Sequence, residues 1–476
     1  MRIIIYTQAY NAERTLGMTI ESILNQTFSD FNYYIFDDGS TDGTREVIQE
    51  YARIDKRVIA QLHDINHKLT RDKTQYFISC LKSCFLESSC DGYWAMCDAD
   101  DEVKPDFFEK MLAFTEEYSL DIAACGFDFI EASTGTLLGK WRMDSDLLLS
   151  GAGFSEHFPQ YHNLMRTMWG KLFSLSLLRK CSFKNVNELL NGSDTLFTTE
   201  AFCHAKRAGI LSGTLYKYYN HSGSVSAAFY DKRIATDRVL DDVARAFLVD
   251  KCGEISDQND EFLYNVYYEH IENTINIMFK DQSDIVGIIA GLHDIFSSEH
   301  TGRLIEWRGL REKKQQLFNE IAKWLLHPGQ LVEAGVTAQV VDILAAMGAQ
   351  TNYLSDASPI LACITPVSAI FMRAVVAAVL RGDLGAALDE VGLLGEGDIP
   401  DEHAECYLTL ALNICSTLEY ADGWIFFQKE FAHFLLDSGR TGEAASKIKE
   451  LEELLPDDHE VRDLREKTGA GCDRKC

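Results

Sequence analysis

The chain has 476 residues, of which 46% are hydrophobic and 25% charged, and its formal net charge at pH 7 is -28. This composition is typical of a globular protein with two or three domains and excludes a largely disordered chain. The negative charge repels polyphosphates, so nucleic-acid binding is not expected. An anionic ligand would need a metal ion, a few placed Arg or Lys side chains, or a helix N-terminus.

The 13 cysteines are scattered without a C-x-x-C pair, which indicates reduced thiols. No signal peptide is expected, because residues 1–7 lead directly into a strand. The most apolar stretch, residues 360–380, contains Pro366 and Arg373, so it suits a buried helical hairpin better than a membrane span. These features predict a cytoplasmic protein without a membrane span.

The first 130 residues alternate short apolar runs with amphipathic helical patterns. Strands are predicted over residues 2–7, 33–36, 58–62, 93–97 and 121–126. Asn11 can cap the helix after the first strand, and Pro105 suits the first position of a later helix. This alternation predicts an α/β fold built on a largely parallel sheet.

From about residue 230 helical patterns dominate to the end of the chain. We predict a helical linker or bundle over residues 229–345 and an all-α C-terminal domain over residues 346–476. Residues 379–387 and 435–445 each combine a helix end, a Gly-containing turn and a small-residue helix start, which resembles tetratricopeptide-type helical pairs. Their spacing does not follow a strict period of about 34 residues, so an irregular helical bundle is an equal alternative.

Polar groups follow three of the predicted strands at their carboxyl ends, where open α/β sheets bind ligands. These groups are residues 7–11, 37–43 and 97–101. The second group offers a carboxylate that can accept a hydrogen bond from a base N–H, as uracil would present. In the third, Asp98 and Asp100 place two hard oxygen ligands two residues apart, which suits Mg²⁺ or Mn²⁺ shared with a diphosphate.

Ordinary alternatives exist for each group alone, because acidic turns cap helices and are often simply solvated. A calcium loop starting at Asp98 is excluded, since Val103 occupies its required Gly position and Pro105 falls inside it. The three groups in this order are therefore more informative together than singly.

Four segments, residues 3–13, 22–31, 36–44 and 94–101, together resemble family 2 glycosyltransferases of the GT-A fold. The resemblance covers roughly residues 1–225. It implies a GT-A (Rossmann-like) nucleotide-sugar-binding domain, which we assign to residues 1–228. It further implies inverting transfer of a hexosyl or N-acetylhexosaminyl group from a nucleotide-sugar, most often a UDP-sugar.

The same resemblance implies the residues of the site. Metal binding, of Mn²⁺ or Mg²⁺, falls to Asp98 and Asp100. Residues 191–197 resemble the segment that supplies the catalytic base, which makes Asp194 the candidate, and residues 168–172 resemble a W-x-K-L segment on the sugar and acceptor side. The predicted nucleotide-sugar contacts are Thr7, Ala9, Tyr10, Asp38, Ser40, Arg71, Asp98, Trp169 and Lys171.

The sequence departs from the family pattern in three places. Ala9 replaces the usual proline, and the acidic doublet near the base is reduced to Ser193 and Asp194. Residues 66–73 replace the usual Ala-Arg-Asn stretch; there Arg71 is the predicted diphosphate contact and Lys73 the second choice, with an exposed cationic loop as the alternative for both.

The base must take the proton of an acceptor hydroxyl as the new bond forms. If Asp194 does not act, Glu188 and Glu200 are the nearest carboxylates in the sequence. Four histidines are rivals, although packing or surface positions are more typical of them: His157, His162, His204 and His221.

Two other classes of function were weighed. A nucleotidyltransferase would share the α/β layer and the metal carboxylates, but residues 7–12 offer no Gly-rich phosphate loop with a basic residue. A non-catalytic nucleotide-sugar-binding or helical-repeat scaffold leaves the aspartates unexplained. For the enzyme, the acceptor would be a surface glycan, a lipid-linked oligosaccharide or a protein, and the helical half would hold that acceptor, form a homodimer or only buttress the catalytic domain.

Overall fold

The computed structural model describes residues 2–66, 91–183, 192–221, 229, 232–281, 284–325 and 420–469, with single residues and pairs between 339 and 416. The chain divides into two compact units, Met1–His270 and Ile271–Cys476. Each unit is described by itself. Within the described residues, the six cysteines are free thiols.

One mixed sheet forms the centre of the first unit. Its ten strands are β1 (Arg2–Ala9), β2 (Phe31–Asp38), β3 (Val58–His63), β4 (Gly92–Met96), β5 (Glu102–Val103), β6 (Ile122–Glu131), β7 (Leu137–Trp141), β8 (Leu147–Ser150), β9 (Lys171–Ser174) and β10 (Arg207–Asn220). Their order is β3-β2-β1-β4-β9-β6-β10-β5, with β7 on β6 and β8 on β10. The core pairs β1–β2, β1–β4, β2–β3 and β6–β10 are parallel, whereas β9 is antiparallel to β4 and β6. The predicted α/β class with a mostly parallel sheet is confirmed.

Helices cover both faces of this sheet. They are α1 (Leu16–Leu24), α2 (Thr44–Ile54), α3 (Phe107–Tyr118), α4 (Gly153–Glu156), α5 (Phe158–Tyr161), a 3-10 helix (His162–Arg166), α6 (Leu175–Leu178), α7 (Ser193–His204) and α8 (Arg233–Cys252), while α9 (Asp257–Asp281) crosses the boundary between the units. The alternation of β1 explains the two layers: Ile3 and Ile5 enter one apolar core, and Tyr6 enters the other.

Two local predictions about helix starts are wrong. Asn11 does not cap α1, which begins at Leu16; it adopts a left-handed conformation (φ 49°), and its side-chain Oδ1 accepts a hydrogen bond from the backbone N–H of Thr41 at 2.8 Å. Pro105 precedes α3, which begins at Phe107. In both places a residue before the helix makes a tertiary contact: Asn11 with Thr41, and the carbonyl of Pro105 with the backbone N–H of Thr27.

Helix α8 lies beyond the predicted end of the catalytic domain at residue 228. Its Phe247 and Leu248 are nevertheless fully buried in the core that contains Tyr6 and Phe158. The first compact unit therefore extends to His270, while the predicted domain boundaries at 228 and 345 stay predictions.

All described regular structure beyond α9 is helical, as predicted. The helices are α10 (Ile285–Phe296), α11 (Glu299–Glu306), α12 (Arg311–Leu325), α13 (Ala421–Asp437), α14 (Thr441–Leu454) and α15 (His459–Lys467). Gly439, with φ 73°, makes the turn between α13 and α14. The matching segment at residues 379–387 lies outside the described residues, so the tetratricopeptide likeness stays a prediction. Among the helices that the structure describes, none has the length and apolar character needed to cross a membrane.

Candidate active site

The carboxyl ends of β2, β1 and β4 meet at one edge of the sheet. The register pairs Ala9 with Asp37 and Tyr6 with Met96. Because the three strands are parallel neighbours, the polar segments that follow them lie side by side. We call residues 37–40 the β2 loop and residues 97–101 the β4 loop.

Thr7 links the end of β1 to the β4 loop. Its buried hydroxyl donates to the carbonyl of Cys97 at 2.7 Å and accepts from the Tyr33 hydroxyl at 2.9 Å. Ala9 is also buried, whereas Tyr10 is 38% exposed. Of the three contacts predicted in this segment, Tyr10 is thus the one whose side chain reaches solvent.

The two aspartates of the β2 loop have different surroundings. Asp37 is fully buried and accepts from the backbone N–H of Ser40 and from Arg45 Nε, both at 3.1 Å. Asp38 accepts from Gln8 Nε2 at 3.1 Å. Asp37 therefore holds the turn and pairs with a cation, while Gln8 orients Asp38 at the strand end.

Gly39 fixes the β2 loop against the end of β3. Its φ is 71°, and a Cβ atom built there would lie 2.6 Å from the backbone nitrogen of Asn66. On the other side, the Ser40 hydroxyl accepts from the backbone N–H of Asn11 at 3.0 Å. The segments after β1, β2 and β3 are therefore packed into one rigid corner.

His221 lies beside the β4 loop, although it is far from it in sequence. Its Nε2 is 3.4 Å from Asp100 Oδ2 and, within the described part of the chain, makes no hydrogen bond although the atom is buried. Imidazole nitrogen and carboxylate oxygen are both metal ligands. The sequence pattern ranked His221 only as a rival base, because nothing in it places residue 221 next to residue 100.

Asp101, unlike its neighbours, faces inward. It is 1% exposed and accepts from the Tyr216 hydroxyl and from the backbone N–H of Tyr219, both at 2.8 Å. Burial, followed by the nearby charges of Asp98 and Asp100, raises the pKa of Asp101 well above its usual value. The sequence shows three aspartates here, but it does not distinguish this anchor from the other two.

Trp169 and Lys171 are buried behind the loop. Trp169 stacks on Tyr216 with ring centroids 4.6 Å apart and an interplanar angle of 12°. Lys171 Nζ donates to the carbonyl and hydroxyl of Thr167, both at 2.7 Å, and to the carbonyl of Trp169 at 3.1 Å. Burial lowers the pKa of Lys171 to about 7. Its ammonium group is thus committed to the turn, and its contact with a nucleotide-sugar stays a prediction.

Asp194 stands in the first turn of α7 and is half-buried. The same helix is tied to the Trp169 turn, because the Thr198 hydroxyl donates to the carbonyl of Thr167 at 3.0 Å. Glu200, the described alternative base, accepts from the backbone N–H groups of Ser182 and Phe183 at 2.6 and 2.9 Å and so caps that segment. Asp194 remains the candidate base on this helix.

The other predicted residues divide into three groups. Burial lowers the pKa of His162 to about 3, so it is a neutral packing residue. His204 is exposed at the end of α7, where its ring approaches Cys181 and Glu200. Arg71, Lys73 and Glu188 lie outside the described residues.

Residues 4–186 match the family model described as Glycosyl transferase family 2. The chain is 29% identical over 220 residues to the Uncharacterized glycosyltransferase YibD of Escherichia coli (strain K12), a match that covers 46% of this chain and 61% of that protein. It is 25% identical over 223 residues to the Uncharacterized glycosyltransferase EpsJ of Bacillus subtilis (strain 168), covering 46% and 62%. The chain thus spans about three fifths of the length of these relatives, and the matched region is the part that carries the predicted motifs.

Among solved structures, the complex of S. aureus TarS 1-349 with UDP-GlcNAc is similar over 75% of this chain and 93% of that chain. The sequence identity is 15% and the TM-score is 0.49. A likeness at this level does not transfer a ligand or an activity.

Proposed function

We propose that this chain, whose residues 4–186 match the family 2 glycosyltransferase model, transfers a sugar with inversion from a nucleotide-sugar to an acceptor hydroxyl. We take a UDP-sugar as the first donor to test. The observation that carries the proposal is that three adjacent parallel strands bring Asp38, Asp98 and Asp100 to one edge of the sheet. A nucleotidyltransferase would share the metal carboxylates but would also need a Gly-rich phosphate loop, and a non-catalytic scaffold leaves the aspartates unexplained.

The β2 loop supports the nucleotide side of the proposal. Asp37 is neutralised by Arg45, which leaves Asp38, oriented by Gln8, as the carboxylate suited to accept an N–H of a base. Tyr10, exposed in the neighbouring segment, offers an aromatic face close to the same strand ends. Together these residues form a base pocket on a preformed corner of the fold.

The β4 loop supports the metal side. Asp98 and Asp100 provide hard oxygen ligands, and His221 provides a buried nitrogen that makes no hydrogen bond among the described residues. By their chemistry these donors suit Mn²⁺ and admit Mg²⁺. When bound, the ion would neutralise the donor diphosphate and stabilise it as it leaves. The loop itself holds both carboxylates at the strand end through Asp101.

Asp194 completes the chemistry. An acceptor hydroxyl is a weak nucleophile until a carboxylate within hydrogen-bond reach takes its proton. Asp194 belongs to α7, which is anchored to the Trp169 turn through Thr198. We therefore assign it the acceptor side, with the proton passing from the hydroxyl to its carboxylate as the glycosidic bond forms.

The decisive experiment is a donor panel with the full-length protein. Each nucleotide-sugar is incubated with Mn²⁺, with Mg²⁺ or with excess EDTA, and free nucleotide is measured. We expect UDP release from at least one donor, lost in EDTA and in Asp100→Asn but kept in Asp91→Asn, an exposed carboxylate just before β4. Release of pyrophosphate would indicate a nucleotidyltransferase, and binding without turnover would indicate the scaffold. Full activity in EDTA would contradict the metal assignment.

A further inference from the structure

We propose that Tyr216 is a positioning residue of this site: with Asp101 it fixes the β4 loop that carries the metal carboxylates, and Trp169 acts on that loop through it. The inference rests on the proposed function, because it assigns a cause to the metal affinity of Asp98 and Asp100. Residue 216 lies on β10, far along the chain from the loop that it holds.

The hydroxyl of Tyr216 contacts three members of the loop at once. It donates to Asp101 Oδ2 at 2.8 Å, accepts from the backbone N–H of Asp98 at 3.3 Å, and lies 3.8 Å from Cys97 Sγ. A phenol has one proton to donate and two lone pairs that accept. Every hydrogen-bonding position of this buried side chain is therefore used inside the β4 loop.

Asp101 closes the arrangement from the other side. Its second oxygen accepts from the backbone N–H of Tyr219, and its own N–H donates to the carbonyl of Asp98 at 3.3 Å. The next residues, Glu102 and Val103, pair with β10 as an antiparallel strand. The turn from Asp98 to Asp101 is thus attached to β10 at both of its ends.

The ring of Tyr216 is held as firmly as its hydroxyl. Trp169 covers one face at 4.6 Å and also stacks on Tyr218 at 5.5 Å. Lys171 fixes the backbone of Trp169 by donating to its carbonyl. Trp169 is only 7% exposed. We therefore infer that it affects the β4 loop through its stacking contact with the ring of Tyr216. This gives the Trp169 turn a role that needs no direct contact with the nucleotide-sugar.

The closing experiment measures binding of Mn²⁺ alone to the full-length protein, by calorimetry or by loss of the free-ion paramagnetic signal. Tyr216→Phe keeps the ring and removes the hydroxyl, so we expect the dissociation constant for Mn²⁺ to rise about tenfold or more. Donor turnover at saturating Mn²⁺ should recover to within about threefold of wild type. Asp101→Asn should likewise weaken Mn²⁺ binding while turnover at saturating Mn²⁺ stays close to wild type. Trp169→Leu should weaken Mn²⁺ binding by a smaller factor.

The matched control is Tyr161→Phe. Tyr161 is equally buried and its hydroxyl donates to the carbonyl of Phe154 at 2.6 Å, away from the β4 loop. It should lose similar thermal stability and keep the wild-type affinity for Mn²⁺. An unchanged Mn²⁺ affinity in folded Tyr216→Phe, or an equal change in Tyr161→Phe, would overturn the inference and leave the proposed function standing. A wild-type chain that binds no Mn²⁺ would overturn both.

Discussion

The β2 and β4 loops each contain a buried aspartate, and they stabilise it with different partners. Each contains neighbouring aspartates, of which one is a buried anchor and another is the one that we assign to a ligand; Asp38, assigned in the β2 loop, is itself 2% exposed. The anchor of the β2 loop, Asp37, pairs with the cation of Arg45. The anchor of the β4 loop, Asp101, receives only the neutral donors Tyr216 and Tyr219, and it pairs with no cationic side chain in the described structure.

This difference bears on which loop we propose as the metal site. The β2 loop pairs its buried carboxylate Asp37 with the cation of Arg45. The β4 loop holds a buried carboxylate whose pKa is raised by burial and by Asp98 and Asp100. The contrast supports our proposal that the β2 loop contacts a base and the β4 loop a metal ion.

The largest predicted effect is on turnover and comes from a residue outside both loops. It tests whether the two loops bind the donor and the metal ion while a separate residue accepts the proton. Asp194→Asn removes the proton acceptor and keeps the side-chain shape, so turnover should fall by about 10²–10⁴. The affinities for Mn²⁺ and donor should stay at wild-type values, because the base acts on the acceptor hydroxyl. Steady-state kinetics and calorimetry test this, with Asp91→Asn as the control. An unchanged turnover number would move the base elsewhere.

The two anchors should respond differently to loss of charge. Asp37→Asn removes the partner of Arg45 and should lower the free energy of unfolding by about 2 kcal/mol, a moderate value because Arg45 is partly exposed. Asp101→Asn replaces a carboxylate that burial already disfavours as an anion, so its cost should be below about 1 kcal/mol. Urea denaturation of both variants measures this. Equal losses would remove the contrast between the loops.

Gly39 tests the rigidity of the β2 loop. Gly39→Ala combines a left-handed backbone with a Cβ atom 2.6 Å from the backbone of Asn66, and should cost about 2 kcal/mol of stability. Gly135→Ala is the matched control: its φ is 68°, but no atom lies within 4 Å of the added Cβ, so only the backbone strain of about 1 kcal/mol remains. If both variants lose the same free energy of unfolding, then the packing of the β2 loop against the end of β3 does not contribute to stability.

The last prediction concerns the pH dependence of stability and the basic side chains packed near the two loops. The hydrogen bond to Asp37 raises the pKa of Arg45, whereas burial lowers that of Lys171 from 10.5 to about 7. Between these values the unfolded chain keeps the Lys171 proton and the folded chain loses it, so stability gains from rising pH. The difference in unfolding free energy between wild type and Lys171→Met should therefore grow by about 1 kcal/mol from pH 7 to pH 8. A difference independent of pH would mean that Lys171 stays charged.

The sequence predicts strands β1 to β4, whose carboxyl ends form the candidate site, close to where the structure has them. Strands β1, β2 and β4 are mostly apolar runs with buried residues on both faces, β3 is a partly buried edge strand, and the residues after them are local in sequence. The short strands β7, β8 and β9 were not predicted, because they have four or five residues and gain their order from pairing with β6, β10 and β4.

Within the site, position in the motif identifies the acidic residues but not their roles. Asp37 becomes an anchor because Arg45 of α2 reaches it, and Asp101 because Tyr216 of β10 does. His221 reaches Asp100 for the same reason. These partners are set by the tertiary fold, which no local pattern around residues 37 or 98 contains.

The pairing of β6 with β10 also sets an order for folding. Ile122 pairs with Ala208, so about 85 residues, including the Trp169 turn and α7, lie between the two parallel partners. Closing so long a loop loses chain entropy before its contacts compensate, and such pairings form late. A folding chain can therefore complete the β2 loop early, whereas the β4 loop must wait for Tyr216 to arrive with β10. The metal binding that we propose for the β4 loop is in this way delayed until the sheet has closed.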